Sequence, residues 1–161
     1  MRGDPAILEH LQKLLGNELA ASDQYLIHSR MYQDWGLEPL YKRMEHESLE
    51  ERLHADLIIQ RMLFLEGTPD LSARDELMVG RTVPEMLQKD LKVERLVQAM
   101  LKDAIAACEQ HSDYETRRML SRLLYDTEED HIHWLEQQLR LIDMVGLENY
   151  LQHHMGAAEE A

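Results

Sequence analysis

The feature that most constrains this chain is a pair of polar residues on an otherwise apolar helical stripe. Met44, Ile58 and Met62 recur with the 3.6-residue period of a helix. Glu51 and His54 interrupt that stripe, and because they are three residues apart, their side chains lie on the same helical face. A buried carboxylate is unfavourable unless it is paired or binds a metal. The segment is therefore predicted to be a core helix whose Glu-x-x-His pair has a function.

The same arrangement recurs along the chain. Glu128 and His131 form the only other Glu-x-x-His match in the sequence. Two single glutamates, Glu18 and Glu94, interrupt apolar stripes in the same way. Glu51 follows Glu18 by 33 residues, and Glu128 follows Glu94 by 34. The two halves of the chain therefore resemble a degenerate repeat, each with a Glu followed by a Glu-x-x-His.

The composition excludes several classes of partner. The net charge of −14 argues against binding nucleic acid or an anionic membrane and favours attraction of cations. Hydrophobic residues make up 44% of the chain, but no apolar run approaches the roughly 20 residues that span a bilayer. The start MRGDPAI lacks the apolar segment of a secretory signal, and the lone Cys108 rules out an intrachain disulfide. These features predict a cytoplasmic location.

With 7 Gly, 4 Pro and little strand-type alternation, the chain is predicted to be all-α, and its 161 residues suit one domain, residues 1–161. Four long helices and a short fifth one are expected, and residues 68–81 form a connection long enough to cross the length of a four-helix bundle. The expected bounds are Asp4 (N-cap, with Pro5 next) to Asp34, Pro39 to Gly67, Thr82 (capping box with Glu85) to Gln110, Ser112 (capping box with Glu115) to Val145, residues 147–154 after a stop at Gly146, and a disordered tail at 156–161.

At one level of such a bundle, four carboxylates and two imidazoles would converge. Their charge of −4 repels itself in an empty site and is neutralised by two divalent cations. Mixed oxygen and nitrogen ligands favour iron or manganese over zinc, magnesium or calcium. This is the ligand pattern of di-iron carboxylate bundles, so the sequence predicts a site for two metal ions.

Each of these residues has a simpler interpretation when it is taken alone. A single Glu on an apolar stripe is often a surface residue, and a single Glu-x-x-His is often a solvated pair in an acidic chain. The combination, in alternating order and at near-equal separations, is what favours a metal site. The other histidines, His28 and His46 among them, are expected at the surface, the ten methionines in the core, and Glu47, Glu50 and Glu129 on a solvated acidic face.

Over essentially its whole length the chain resembles the bacterioferritin family. The resembling segments are LLGNELAASDQYLIHSRMYQDWGL, HESLEERLHADLIIQRMLFLEGTP and HIHWLEQQLRLIDMVGLENYLQ. The resemblance implies a ferritin-like four-helix bundle with a long crossover between the second and third helices and a short fifth C-terminal helix. It also implies a closed, hollow shell of about 24 subunits that stores ferric mineral.

Carried over by position, the resemblance implies a set of site residues. The di-iron ligands would be Glu18, Glu51, His54, Glu94, Glu128 and His131. Glu51 and Glu128 would bridge the two irons, whereas Glu18 and Glu94 would each bind one. Tyr25 would lie close to the centre, and His46 and Glu50 match positions of an inner-surface iron site.

One position departs from the family pattern. Bacterioferritins bind haem b between two subunits through a Met from each, placed directly after the bridging glutamate of the second helix, where this chain has Arg52. A guanidinium stays protonated and offers no lone pair to iron. The resemblance is therefore to subunits that lack the haem ligand, and haem is expected only in a shell shared with a Met-bearing partner subunit. A ferredoxin-type reductant is a candidate electron donor for iron release.

These observations predict iron storage and detoxification by a ferroxidase that oxidises Fe(II) with oxygen or peroxide, with two irons per subunit. Two other classes stay open. One is a di-iron redox enzyme of rubrerythrin or oxygenase type, although the single Cys108 counts against a rubredoxin-like cysteine pair. The other is a non-catalytic shell subunit or helical interaction protein, against which the intact ligand set counts.

Overall fold

The computed structural model describes residues 1–156, and within them the chain forms helices and no strand. The predicted all-α class is confirmed, as is the short C-terminal helix. The helices are α1 (Pro5–Asp34), α2 (Glu38–Phe64), α3 (Val83–Gln110), α4 (Tyr114–Tyr125), a π-helical segment (Asp126–Ile132), α5 (His133–Val145) and α6 (Leu147–His153). Because backbone dihedrals stay helical through both junctions, α4, the π segment and α5 form one long fourth helix of the bundle.

Two of the predicted helix starts are confirmed. The Asp4 carboxylate accepts a hydrogen bond from Ala6 N at 2.8 Å, and Pro5 follows it. Thr82 Oγ1 accepts a hydrogen bond from Glu85 N at 3.3 Å. The Glu85 carboxylate accepts from Arg81 N and not from Thr82 N, so the capping box closes one residue early.

Two predicted helix ends are wrong. The fourth helix is capped by Asp113, whose carboxylate accepts from Thr116 N at 3.0 Å, because Ser112 has a left-handed backbone with φ of 56°. The second helix ends at Phe64 and not at Gly67, because Glu66 turns left-handed with φ of 64°.

The bundle has two apolar clusters with a polar layer between them. One cluster includes Leu11, Leu15, Ile58, Leu101 and Leu120. The other includes Tyr32, Leu40, Met44, Leu87 and Leu135. Because apolar side chains pack on both sides of the polar layer, the charged groups in that layer lie in a poorly solvated environment.

The segment between α2 and α3 is attached to the bundle by a buried polar network. Gln24 Oε1 accepts a hydrogen bond from Met78 N at 2.9 Å, and His28 Nε2 accepts one from Gly80 N at 3.0 Å. Asp90 accepts from Gln24 at 2.8 Å and pairs with the other ring nitrogen of His28. The expectation of a surface position is thus wrong for His28, whose side chain is fully buried.

The short helix α6 packs against its own bundle. Tyr150 is 1% exposed, and its hydroxyl donates a hydrogen bond to Gln138 Oε1 at 2.8 Å. Leu147 is 39% exposed and remains an apolar surface position. Within residues 1–156, every helix is too short or too polar to cross a membrane. The predicted disordered tail falls almost wholly on residues 157–161, outside the described part of the chain.

Candidate metal centre

Five of the six predicted ligands meet in the polar layer of the bundle. Glu18 comes from α1, Glu51 and His54 from α2, Glu94 from α3 and His131 from the π segment. Each of these side chains is at most 5% exposed. We refer to the five residues as the central cluster.

One half of the central cluster consists of Glu18, Glu51 and His54, which offer ligand atoms within 4.8 Å of one another. His54 Nδ1 lies 3.2 Å from Glu51 Oε2 and 3.8 Å from Glu18 Oε2. On the other side of the ring, His54 Nε2 lies 3.1 Å from Asp126 Oδ2. Asp126 therefore holds the imidazole so that Nδ1 faces the two glutamates.

The other half consists of Glu51, Glu94 and His131, again with ligand atoms within 4.8 Å. His131 Nδ1 lies 2.9 Å from Glu51 Oε1 and 3.3 Å from Glu94 Oε1. The Tyr25 hydroxyl donates a hydrogen bond to Glu94 Oε1. Glu51 belongs to both halves, so its two oxygens face two adjacent positions, as a bridging carboxylate requires.

Glu128, the sixth predicted ligand, does not join the central cluster. Its Oε1 accepts a hydrogen bond from Gln98 Nε2 at 2.7 Å and pairs with Lys102 Nζ at 2.9 Å. Its side chain is 34% exposed. The Lys102 ammonium, with help from the Gln98 amide, lowers the pKa of Glu128 below its usual range.

The π-helical geometry explains why Glu128 and His131 point in different directions. In an α-helix, residues three apart are rotated by only about 60° from alignment. A π-helix has about 4.4 residues per turn, so the same two positions differ by about 115°. Thr127, four residues before His131, takes the inward position instead, and it is 1% exposed. The expectation that Glu128 shares the face of His131 assumed α-helical geometry.

A second acidic group touches the far side of His131. His131 Nε2 lies 2.6 Å from Glu47 Oε2 and 2.9 Å from Glu50 Oε2. Asp130 completes this group, and Arg43 pairs with both Glu47 and Asp130. His131 therefore connects the central cluster to a more exposed acidic face.

The second acidic group contains Glu47, which was expected at the surface, and it shows where His46 and Glu50 lie. Glu47 is 3% exposed, so its expected place on a solvated face is wrong. Its spacing gave a usable signal, because Glu47 lies three residues after buried Met44 and four before Glu51. His46 Nε2 lies 3.7 Å from Glu50 Oε2, and the His46 side chain is 60% exposed.

Burial and neighbouring charges shift the pKa values of Glu18 and Glu51 in opposite directions. Burial raises the pKa of Glu18 well above its usual value, and the neighbouring Glu51 carboxylate raises it further. Burial also acts to raise the pKa of Glu51, but its close contacts with Glu18 and with the imidazoles of His131 and His54 outweigh burial and leave that pKa well below its usual value. Of this pair, Glu18 therefore takes the proton.

The pKa values of the two histidines, Glu94 and Tyr25 also depend on burial and on the charges beside them. Burial disfavours the charged form of His54, but Glu18 and Glu51 outweigh burial and raise its pKa to about 11. His131 also has a raised pKa, because Glu94 and the glutamates of α2 outweigh its burial. Burial raises the pKa of Glu94 to about 7. Burial and the Glu94 charge raise the pKa of Tyr25 well above its usual value.

The donor atoms of the central cluster suit metal ions. Within residues 1–156, the buried oxygens Glu18 Oε1, Glu18 Oε2 and Glu94 Oε2 have no hydrogen-bond partner. A buried oxygen without a partner is unfavourable, and a metal cation coordinated by that oxygen would remove the penalty. Carboxylate oxygens and imidazole nitrogens together suit iron or manganese.

Comparison with known proteins gives a consistent family assignment. The family profile described as a ferritin-like domain matches residues 8–145. A bacterial ferritin of Synechocystis sp. is 61% identical over 96% of this chain and 99% of its own, and one of Pseudomonas aeruginosa is 57% identical over 94% and 98%. A bacterioferritin of Brucella melitensis is 40% identical over 100% of this chain and 99% of its own. The chain therefore belongs to the ferritin-like family, among the bacterioferritin-type proteins.

Proposed function

We propose that this protein stores iron and oxidises it, acting as a ferroxidase at a di-iron centre within each subunit. The observation that carries the proposal is the position of Glu51, whose two oxygens face two adjacent groups of nitrogen and oxygen ligands. The partnerless oxygens of Glu18 and Glu94 provide the outer ligands of the two positions. Family membership supports iron as the metal.

In this proposal, Fe(II) is the substrate and the protein supplies geometry and charge. Each Fe(II) gives up one electron to oxygen or peroxide, and the resulting Fe(III) hydrolyses and is stored as mineral. Glu51 would bridge the two iron positions, Glu18 and Glu94 would bind one each, and His54 and His131 would provide the nitrogen ligands. Glu128, which lies outside the centre in this structure, would have to turn inward to form the second bridge. Tyr25 orients Glu94 through its hydrogen bond.

The acidic group beside His131 fits a path between the centre and the mineral. Glu47 and Glu50 contact the same imidazole that faces Glu51 and Glu94. His46, next to Glu50, extends the acidic group toward solvent. Iron that leaves the centre past His131 would therefore next contact the carboxylate oxygens of Glu47 and Glu50.

We propose further that the chain assembles into a closed shell of about 24 subunits, as its family suggests. The net charge of −14 favours entry of cations. Arg52 is exposed on α2, one residue after Glu51. Because its guanidinium cannot ligate iron, shells of this chain alone bind no Met-ligated haem at that position, and haem enters only with a Met-bearing partner subunit.

The test of the ferroxidase compares stopped-flow Fe(II) oxidation in the wild type with Glu18→Ala and His131→Ala variants. Both variants are expected to lose the fast phase while keeping the helical circular dichroism spectrum. Glu129→Ala removes the same side chain from an exposed position and serves as the matched control. Fast oxidation that survives in both cluster variants would refute the assignment.

A further inference from the structure

We propose that Gln98 and Lys102 are positioning residues that hold Glu128 outside the di-iron centre while the centre is empty, and release it when metal binds. The proposal rests on the proposed function. It concerns how the sixth ligand reaches the centre, because five ligands already converge there without it.

The three residues of α3 involved form a row along one helix face. Glu94, Gln98 and Lys102 are spaced by four residues, so their side chains follow one another along that face. Glu94 points into the central cluster, and Gln98 and Lys102 bind the carboxylate of Glu128. One such step is about 6 Å along the axis, so Glu128 is held about one helical turn from Glu94.

Charge explains why Glu128 stays outside an empty centre. Both imidazoles of the central cluster are already in contact with its three carboxylates, so a fourth carboxylate that entered this poorly solvated layer would leave water without gaining a cationic partner. On the half-exposed surface, Glu128 instead has an amide donor and an ammonium group within hydrogen-bonding distance. The outward position is therefore favoured in the absence of metal.

Metal reverses this balance. Two divalent cations carry a charge of +4, and the three central carboxylates neutralise only part of it. The fourth carboxylate then gains more from the metal than from one half-exposed ion pair, which contributes little in water. Since the π turn separates Glu128 from His131 in direction, the Glu128 side chain has to turn to reach the centre.

The proposal predicts that Lys102 competes with metal for Glu128. The probe is Co(II), titrated at equilibrium into metal-free protein and followed by its visible absorption. Lys102→Met should tighten Co(II) binding about two- to fivefold, the range expected when one exposed ion pair is removed. The spectrum at saturation should not change, because the bound ligand set stays the same. Lys102→Arg keeps the ion pair and should behave like the wild type.

Two comparisons separate this effect from the loss of a positive charge in general. Arg95→Met removes an exposed cation of the same helix whose partner, Glu136, is not a proposed ligand, and it should leave Co(II) affinity nearly unchanged. Glu128→Gln should weaken binding, and adding Lys102→Met to it should then have no further effect. This double-mutant cycle isolates the coupling between Lys102 and Glu128.

The outcomes separate the two proposals. Unchanged affinity in Lys102→Met, or the same tightening in the Glu128→Gln background, would overturn the positioning role while leaving the di-iron centre intact. A change in the saturated spectrum of Lys102→Met would show that Lys102 acts at the metal, contrary to the proposal. Failure of the wild type to bind two Co(II) per chain would instead overturn the proposed function.

Discussion

Glu18→Gln is expected to stabilise the metal-free protein and to destabilise the metal-loaded protein relative to the wild type. The Glu18 side chain is 1% exposed, and in residues 1–156 neither of its oxygens has a hydrogen-bond partner. Burial and the Glu51 charge raise its pKa well above the ordinary 4.5, so the folded metal-free protein keeps it protonated. Gln is neutral and nearly the same shape, so it avoids this requirement.

The free-energy cost of keeping Glu18 protonated sets the size of the expected change in stability. Holding a proton on a carboxyl group one pH unit above its ordinary pKa costs about 1.4 kcal/mol, so the limit at pH 7 is about 3 kcal/mol. For a chain of this size, each kcal/mol corresponds to about 2–4 °C in Tm. Because the pKa of Glu18 is higher in the folded than in the unfolded protein, its contribution to the free energy of unfolding is fully present below about pH 4.5. That contribution is lost as the pH rises toward the pKa of Glu18 in the folded protein. The advantage of Glu18→Gln should therefore grow with pH.

Metal should reverse the order of the two proteins. A metal that binds only the folded wild type stabilises it by about 4 kcal/mol at 1,000 times Kd, and Glu18→Gln should lose most of that gain. The assay is thermal denaturation followed by circular dichroism between pH 5 and 8, with EDTA and with Mn(II) or Zn(II). Glu129→Gln, an exposed position, is the control and should change stability by less than about 0.5 kcal/mol. If Glu18→Gln matched Glu129→Gln in both conditions, the argument about a buried, self-repelling site would be wrong.

Three further predictions use other parts of the structure. The pKa of His54 is about 11 and that of His131 is also raised, so both imidazoles carry a proton at pH 7, and Zn(II) binding should release at least two protons per chain. Calorimetry in buffers of different ionisation enthalpy measures this release, and the absence of any release would contradict protonated imidazoles. Shells of the unmodified chain should show no saturable six-coordinate haem spectrum, whereas Arg52→Met should gain one at one haem per two subunits, and a stoichiometric signal from the wild type would refute the role given to Arg52. Deleting residues 147–161 should lower the native mass from hundreds of kDa, because it removes exposed Leu147 together with the rest of α6, and an unchanged mass would show that α6 is not needed for assembly.

Periodicity was enough to predict the positions that depend only on regular α-helix geometry. Glu18, Glu51 and Glu94 interrupt apolar stripes, and in the structure each is buried within a regular α-helix. The same reasoning did not predict the direction of the Glu128 side chain, because a spacing of three residues means a different direction in a π-helix. Nothing in the local residue types of Asp126–Ile132 distinguished a π-helical turn from an α-helical one.

The misjudged polar residues share a different cause. His28 and Glu47 were assigned to the surface by residue type, but both are buried because a partner from another part of the chain satisfies them. His28 accepts a hydrogen bond from Gly80 N, 52 residues away, and Glu47 contacts His131 across the bundle. Periodicity could have placed Glu47 on the buried face of its helix, but the long-range partners of both residues cannot be inferred from periodicity along one helix.

The most direct test of the central claim is an anaerobic titration of the metal-free protein with Fe(II), followed by a pulse of oxygen and a count of the iron oxidised. The account predicts that two Fe(II) per chain bind and that both are oxidised together in one fast phase. Binding of a single Fe(II) per chain, or slow oxidation no faster than in Glu18→Ala, would contradict a di-iron centre bridged by Glu51.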